Sequence, residues 1–375
     1  MKAQGRPRMR DWGLAPGTLP PGPSNGITDI AGVRVGHTTL VSGDGALCPG
    51  QGPVRTGVTV VLPHGDDLFL QKVRAAVHTI NGYGKACGFE QVRELGLIEA
   101  PIALTNTLNV GLVADALIEH AVRDHPGIGV TTSSVNVVVG ETNDGYLNDV
   151  QGRHVRAEDV FAAIECASPG PVREGAVGAG TGTSCFGWKG GIGTASRVLP
   201  AEAGGFTIGA LVQTNFGSPE QLVVLGIPVG RHVLPAEDPS DACMDDGSVM
   251  VVLATDAPMT ARQLHRLCVR AGAGLARTGS VHGHGSGDFV IGFSTTCRLA
   301  HHPDAIVRDC PVVIDEARVM QGCFSAVVES VEEAVLNTLW RAQTMVGRDG
   351  HVRQALPLED VARVAERYGR RPREG

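Results

Sequence analysis

"MDDGSVMVVLATD", residues 244–256, poses the central question of this chain. An acidic turn, Asp245-Asp246-Gly247, runs straight into an apolar run of β type, Val249 to Ala254. An unbroken run of Val, Leu and Met of this length reads as a buried strand. Ser248 stands at the junction, where a hydroxyl needs a reason. Gly-Ser steps also occur at 217–218, 279–280 and 285–286, so the dipeptide by itself says nothing. Its setting is particular: only 247–248 lies between a polar, acidic linker (231–247) and a strongly apolar strand.

Two readings fit the residues. In the simpler one, Ser248 closes a turn. In the other, its hydroxyl attacks the carbonyl of Gly247, and an N→O acyl shift followed by hydrolysis splits the chain. Ser248 then carries a free α-amine with an ordinary pKa near 7.7–8.0, a usable base for its own hydroxyl. Glycine before the serine leaves the attacked carbonyl unshielded and tolerates strained dihedrals.

Working outward, the 375 residues allow one large domain or two ordinary ones. Apolar residues make up 42% and aromatics 4%, so the core is expected to be aliphatic. The 51 glycines follow no triplet period and suggest tight turns and close backbone approaches. A net charge of −7 with interspersed signs gives no basic footprint for nucleic acid. Basic residues gather at the ends (Lys2, Arg6, Arg8, Arg10; Arg367, Arg370, Arg371, Arg373) and read as solvated tails. No apolar run reaches the ~18 residues of a membrane span, and the polar, proline-rich opening does not resemble a secretory signal. The nine cysteines are scattered without a C-x-x-C pair, which fits free thiols in a reducing compartment. A cytoplasmic protein is expected.

Strands are expected over 32–41, 57–65, 206–217 and 221–230 and from Ser248 on, with a strand and turn over 100–111, a strand running into a polar loop over 134–149 and a glycine-rich turn and strand over 283–296. Helices are expected over 110–125, 156–167, 260–277, 323–345 and 359–369. Residues 1–25 read as an irregular arm. Sheet and helix layers follow from this pattern, and the strand pairing stays open. The glycine-rich stretch 175–197 has neither G-x-G-x-x-G in a strand–helix setting nor G-x-x-x-x-G-K-[ST], so it is not a nucleotide loop. Its glycines serve close packing, or its amides, those of Gly180 and Gly182 among them, line a site for a small polar ligand. His282 and His284 alternate with glycine but have no third metal-ligand cluster, and H-E-x-x-H is absent. G-x-S-x-G is absent too, which argues against a nucleophile elbow at Ser286.

The chain resembles the DmpA-type family of self-processing aminopeptidases, which comprises L-aminopeptidase/D-amidase/D-esterases and β-aminopeptidases. The likeness spans roughly residues 11–345. It rests on "NGITDIAGVRVGHTT" (25–39), "RTGVTVVLPHG" (55–65), "ALTNTLNVG" (103–111), "ETNDGYLNDVQG" (141–152), "GTGTSCFGWKGGIGTASR" (180–197), "FTIGALVQTNFG" (206–217), "DGSVMVVLATDAP" (246–258) and "HGSGDFVIGFST" (284–295). The resemblance implies an α+β fold, a four-layer α/β/β/α sandwich like that of N-terminal-nucleophile hydrolases but with different connectivity. It implies one catalytic domain over 1–375, self-cleaved at Gly247/Ser248 into an α chain, 1–247, and a β chain, 248–375. These stay together and associate into a homo-oligomer of heterodimers.

By the same resemblance Ser248 is the nucleophile of both self-cleavage and catalysis, and Asn215 helps bind the oxyanion. Ser286 and Asp288 match a Ser/acidic pair that orients the Ser248 hydroxyl or binds the substrate amine. Some relatives have an aromatic third in "E-T-x-D-G". Here that position is Asn143, and Tyr146 follows three residues on; both are expected to touch substrate. The implied activity needs no cofactor or metal. It releases N-terminal residues, including β- or D-residues, from a small peptide, amide or ester through an acyl-enzyme. Alternatives are an acyl-amide hydrolase or acyltransferase of the same fold, or an unprocessed binding protein.

Overall fold

Alternation along the strand that Ser248 opens determines how the layers stack. In the computed structural model, which describes residues 5–236 and 247–370, the chain runs β1 (Arg34–Ser42), β2 (Val54–Leu62), β3 (Gln71–Gly82), α1 (Phe89–Leu95), β4 (Leu97–Ile98), β5 (Ile102–Asn106), α2 (Val110–Asp124), β6 (Val138–Thr142) and α3 (Ala157–Glu165). It continues through β7 (Ser184–Cys185), β8 (Trp188–Lys189), β9 (Ile192–Val198), β10 (Thr207–Asn215), β11 (Ser248–Thr255), α4 (Ala261–Arg277), β12 (Gly287–Ala300), α5 (Glu316–Arg341), β13 (Met345–Val346), β14 (Val352–Arg353) and α6 (Leu358–Arg367).

Two sheets result. One has the order β1-β2-β5-β6, the other β4-β3-β12-β11-β10-β9. Within the second, β11 pairs antiparallel with β10 and parallel with β12. Successive side chains of a strand point to opposite faces, so a strand buried on both faces serves two cores. β11 does this: Met250, Val252 and Ala254 join the core between the sheets, while Val249, Val251 and Leu253 join the core under α4 and α5. A third core lies between the first sheet and α2 and α3, with Val58, Val60, Val113, Leu117 and Val160. The layers are therefore helix, sheet, sheet, helix. The sheets approach closely at Gly140 of β6, where a Cβ would come within 2.2 Å of the Met250 methyl.

The expected architecture is present, and most expected elements fall within a few residues of their observed bounds. Residues 221–230 are a correction. They form 3-10 turns and a single bridge, Val224 to Ile227, not a strand. Leu225 at φ 51 and Gly226 at φ 81 turn the chain back on itself there. The stretch 175–197 is only partly loop, since its end is β9. Helix α5 starts at Glu316, capped by the Asp315 side chain, seven residues before expectation. The strand β3 and the helix α1 were not anticipated.

The N-terminal arginines are not a solvated tail. Arg8 donates to the carbonyls of Ser24, Asn25 and Thr194 and pairs with Glu174 at 2.8 Å; Arg10 pairs with buried Glu333 at 2.7 Å; Arg6 donates to the Trp340 carbonyl at 2.9 Å. The cysteine expectation also needs correction, because Cys297 and Cys310 form a disulfide with their Cα atoms 5.9 Å apart. The irregular end of β12 and the returning loop bring together two residues 13 apart, which no local motif signals. The acidic turn residues Asp245 and Asp246, most of the expected linker and Cys243 lie outside the described residues. Among the described residues, no helix is long and apolar enough to cross a membrane.

Candidate active site

Ser248 shares strand parity with Met250 and Val252, so its side chain points into the space between the sheets. Asn215, the last residue of β10, is its cross-strand partner. Directly paired residues of an antiparallel ladder present their side chains on one face, with Cβ atoms about 4.5–5.5 Å apart. From the facing sheet, the chain leaving β6 brings the Asn143 backbone N–H to the Ser248 Oγ, donating at 3.1 Å. An amide dipole at that oxygen favours negative charge on it as its proton leaves.

The Asn215 side chain has a fixed sense. Its Oδ1 accepts from the Ser184 N–H at 3.0 Å, which leaves the Nδ2 arm as the free donor of this amide. Ser184 is itself held, its Oγ accepting from Arg353 Nε at 2.8 Å. The Arg353 guanidinium lies 3.5 Å over the Tyr146 ring, and His351 stacks on Tyr146 with centroids 4.6 Å apart. Tyr146 is buried and braces the Asn215 side of the site. Asn143 reaches Ser248 through its main chain, while its side chain accepts from the Gly145 N–H at 2.9 Å.

The Gly247 carbonyl accepts from the Gly287 N–H at 3.2 Å, so the bond preceding Ser248 is polarised by a fixed donor. A Cβ at Gly247 would stand 3.1 Å from Phe216 and 3.3 Å from the Ser286 Oγ. Glycine keeps this junction open and sets Ser286 beside it. The Ser286 hydroxyl donates to Asp288 Oδ1 at 2.5 Å, and the other carboxylate oxygen faces His282 Nδ1 at 2.7 Å. Asn81 Nδ2 ties down this loop through the carbonyls of Gly283, His284 and Ser286. Asn215 and the Asn143 N–H meet Ser248 at the start of β11, while Ser286 and Asp288 flank Gly247 at the same strand end, with Asp288 in register with Val249.

Gly180 and Gly182 show close packing. A Cβ at Gly180 would lie 2.5 Å from the Ile192 nitrogen, and one at Gly182 would lie 2.1 Å from the Arg55 carbonyl oxygen. The Gly180 carbonyl also accepts from Lys189 Nζ at 3.0 Å, as do the carbonyls of Thr183 and Gly190. Burial holds the Lys189 ammonium down to about 7. Burial likewise raises Asp144 to about 7, against hydrogen bonds from Thr56 and Asn148. Both groups sit inside hydrogen-bonded cages that shape the loops around the site.

Glu141 escaped the sequence reading. It is buried at the end of β6, burial pushes its pKa up, and its Oε1 accepts from the Lys85 N–H at 3.0 Å. A Cβ on Gly84 would touch Glu141 Oε1, the Phe289 ring and the Gly287 Cα together, which places this carboxylate near the strand end that pairs with Ser248. A cleft of about 470 Å³, lined by Lys85, Thr107, Leu108 and Val110, opens beside it. The available signal was an acid directly after the apolar run "VNVVVG" (135–140).

The sequence pattern of peptidase family S58 matches residues 25–353. A β-peptidyl aminopeptidase BapA from Sphingosinicella microcystinivorans is 41% identical, over 97% of this chain and 93% of that protein. Among solved structures, the PH0078 protein from Pyrococcus horikoshii OT3 superimposes with a TM-score of 0.90 at 47% identity, covering 97% of this chain and 100% of that one. The L-aminopeptidase D-Ala-esterase/amidase from Ochrobactrum anthropi superimposes at 0.89 with 40% identity, covering 97% and 99%. It is described as a prototype of the serine aminopeptidases and a variant of the N-terminal-nucleophile hydrolase fold.

Proposed function

The chain belongs to peptidase family S58 and is an aminopeptidase, and from that premise we propose that it activates itself by cleavage before Ser248 and then works through that residue. In the first step the Ser248 Oγ attacks the Gly247 carbonyl carbon. The C–N bond breaks, the nitrogen takes the hydroxyl proton, and an ester joins Gly247 to Ser248. Water hydrolyses the ester to a Gly247 carboxylate and a free Ser248 hydroxyl. The products are chains 1–247 and 248–375, which remain one catalytic domain because β9 and β10 stay paired in one sheet with β11 and β12.

In turnover the Ser248 hydroxyl attacks the substrate's amide or ester carbonyl, with its own α-amine as the base. The Asn215 Nδ2 donates to the oxyanion. Ser286 and Asp288 orient the Ser248 end, and Tyr146 acts by bracing Arg353 and Ser184. A substrate with a free N-terminal ammonium finds a carboxylate in Glu141, whose buried position favours pairing with a cation. Peptides or amides that begin with a β-residue fit this reading, because two relatives at 41% and 40% identity are β-peptidyl aminopeptidases. No cofactor enters the chemistry.

Association of the heterodimers into a homo-oligomer and a cytoplasmic location complete the proposal. The exposed Ile306, Val307 and Ile314 support the first; the six free thiols among the described residues support the second.

The observation that carries the proposal is the convergence on Ser248 of the Asn143 N–H, the oriented Asn215 amide and the polarised Gly247 carbonyl. Intact mass under denaturing conditions tests it. Wild type is expected as two chains divided at 247/248, and Ser248→Ala as one full-length chain. A single wild-type chain after long incubation would reject self-activation. Turnover of β-alanyl against α-alanyl p-nitroanilide then tests the substrate class.

A further inference from the structure

Asp288 has two carboxylate oxygens, and each is taken by a different partner. Oδ1 accepts from the Ser286 hydroxyl at 2.5 Å, and Oδ2 faces His282 Nδ1 at 2.7 Å. The carboxylate is 1% exposed, so it is held by these partners and not by bulk water. His282 stands in a left-handed backbone conformation, φ 53, in the loop between α4 and β12. Such a conformation is uncommon for a residue with a side chain and points to a requirement for this placement of the ring. The far side of the ring meets the Gly272 carbonyl of α4.

We propose that His282 is a positioning residue for the reaction: it clamps one oxygen of Asp288, so that the other stays committed to the Ser286 hydroxyl and Ser286 Oγ turns its lone pairs to the Gly247–Ser248 junction. The inference rests on the reading of Ser248 as nucleophile and goes one layer beyond it. A serine that donates to Asp288 offers only lone pairs to the Gly247–Ser248 junction beside it, so toward the α-amine freed there it would act as acceptor, which gives the chain His282–Asp288–Ser286–Ser248 one direction. Without the clamp, the carboxylate is free to rotate and the sense of the Ser286 hydroxyl is lost.

The charge state of the ring follows from its surroundings. An imidazolium satisfies both acceptors, whereas a neutral ring sets a lone pair against an oxygen. The Asp288 hydrogen bond accordingly raises the His282 pKa above its ordinary value, with burial opposing. Asp288 on β12 is the charged group that faces the ring; α4 offers the Gly272 carbonyl and β3 the uncharged Ile80 and Asn81. The other titratable groups at this strand end are the buried Glu141 on β6 and the α-amine freed on β11 when Ser248 is released. The clamp is charged below the raised pKa and loses its charge as pH rises through it.

The test measures kcat and KM for β-alanyl p-nitroanilide from about pH 5.5 to 9 in the processed wild type, His282→Ala, His282→Asn and Ser248→Ala. His282→Ala is expected to lose about 10- to 100-fold in kcat with KM nearly unchanged, the scale of a misplaced catalytic group. In His282→Asn the amide Nδ2 replaces the ring donor, so most of that loss is recovered, but without the alkaline fall that belongs to the imidazole. A His282→Ala kcat within about twofold of wild type with the same pH profile would overturn the proposal. So would a His282→Asn enzyme as slow as the alanine variant, since that marks a structural role only. Turnover by Ser248→Ala would instead reject the nucleophile reading.

Discussion

Replacing Asn215 by Asp is the most informative single change at this site. The Asn215 Oδ1 holds the Ser184 N–H at 3.0 Å, which leaves the Nδ2 donor of a residue paired directly with Ser248. Aspartate keeps the shape and the acceptor for Ser184, but it replaces the donor by a second acceptor and adds a negative charge where the oxyanion forms. Alanine would also leave the Ser184 N–H without its acceptor, which mixes a stability loss with the catalytic one. One oxyanion donor is worth about 2.7–4 kcal/mol in the transition state, or about 10²–10³ in kcat. Asn215→Asp should therefore retain its thermal midpoint within a few degrees and lose at least that factor in kcat, with a much smaller change in KM. The assay is p-nitroanilide release, normalised to the amount of processed chain seen by intact mass. Asn215→Ala should show the same kcat loss with a lower midpoint. If Asn215→Asp turns over within about threefold of wild type, Asn215 is not the oxyanion donor and the argument from strand register fails.

Three further outcomes are expected. Asn143→Ala removes the side-chain turn to Gly145 but not the main-chain N–H on Ser248. It should still self-cleave and keep kcat within about fivefold, with altered ranking of a panel of amides; loss of cleavage by intact mass would contradict this. The His37 ring, with Nδ1 against Thr59 and a buried Nε2, is held down to about 4, mainly by burial and secondarily by Arg173. Between about 6.5 and 4 the unfolded state binds more protons than the folded one, so stability falls as pH falls through that window. The loss is at most about 3 kcal/mol at about 1.36 kcal/mol per pH unit, and His37→Gln should flatten this acid limb in thermal melts between about pH 8 and 5. Arg197 is fully buried and binds Glu329 at 2.9 Å and Glu333 at 2.6 Å. Arg197→Met leaves two buried carboxylates without their shared cation and should cost about 3–5 kcal/mol, measured by thermal or denaturant unfolding of the Ser248→Ala precursor.

How much was legible differs between elements. β11 and α4 were readable because each carries one clear signal. For β11 that is an unbroken apolar run; for α4 it is apolar spacing of helical period, and the structure adds a Thr260/Gln263 capping pair at its start. β3 was missed because its outward positions are Lys72, Arg74 and His78, and its burial comes from neighbours on both sides rather than from its own composition. The stretch 221–230 was misread for the converse reason. Its Leu, Val and Ile are buried by packing beside α4 and α6, while Leu225, Gly226 and Pro228 set a backbone that cannot enter a ladder. The arginines at the start of the chain looked like surface charge, and only the folded chain supplies Glu174, Glu333 and the carbonyls that capture them.

The site divides along the same line. The sequence by itself determined the kind of residues present: a serine at the head of a buried strand, a glycine before it, an asparagine ending one strand, and a Ser-Gly-Asp step beginning another. Motif order was enough to point to the family and the layered fold. Only the tertiary structure decided that Asn215 lies opposite Ser248, that Asn143 meets the Ser248 Oγ through its main-chain N–H, that Tyr146 lies under Arg353, and that Glu141 and His282 belong to the same strand end. The physical reason is distance along the chain. Residues 141, 215, 248 and 282 meet through the register of a six-stranded sheet and the stacking of a second sheet upon it, and no local pattern encodes such a meeting.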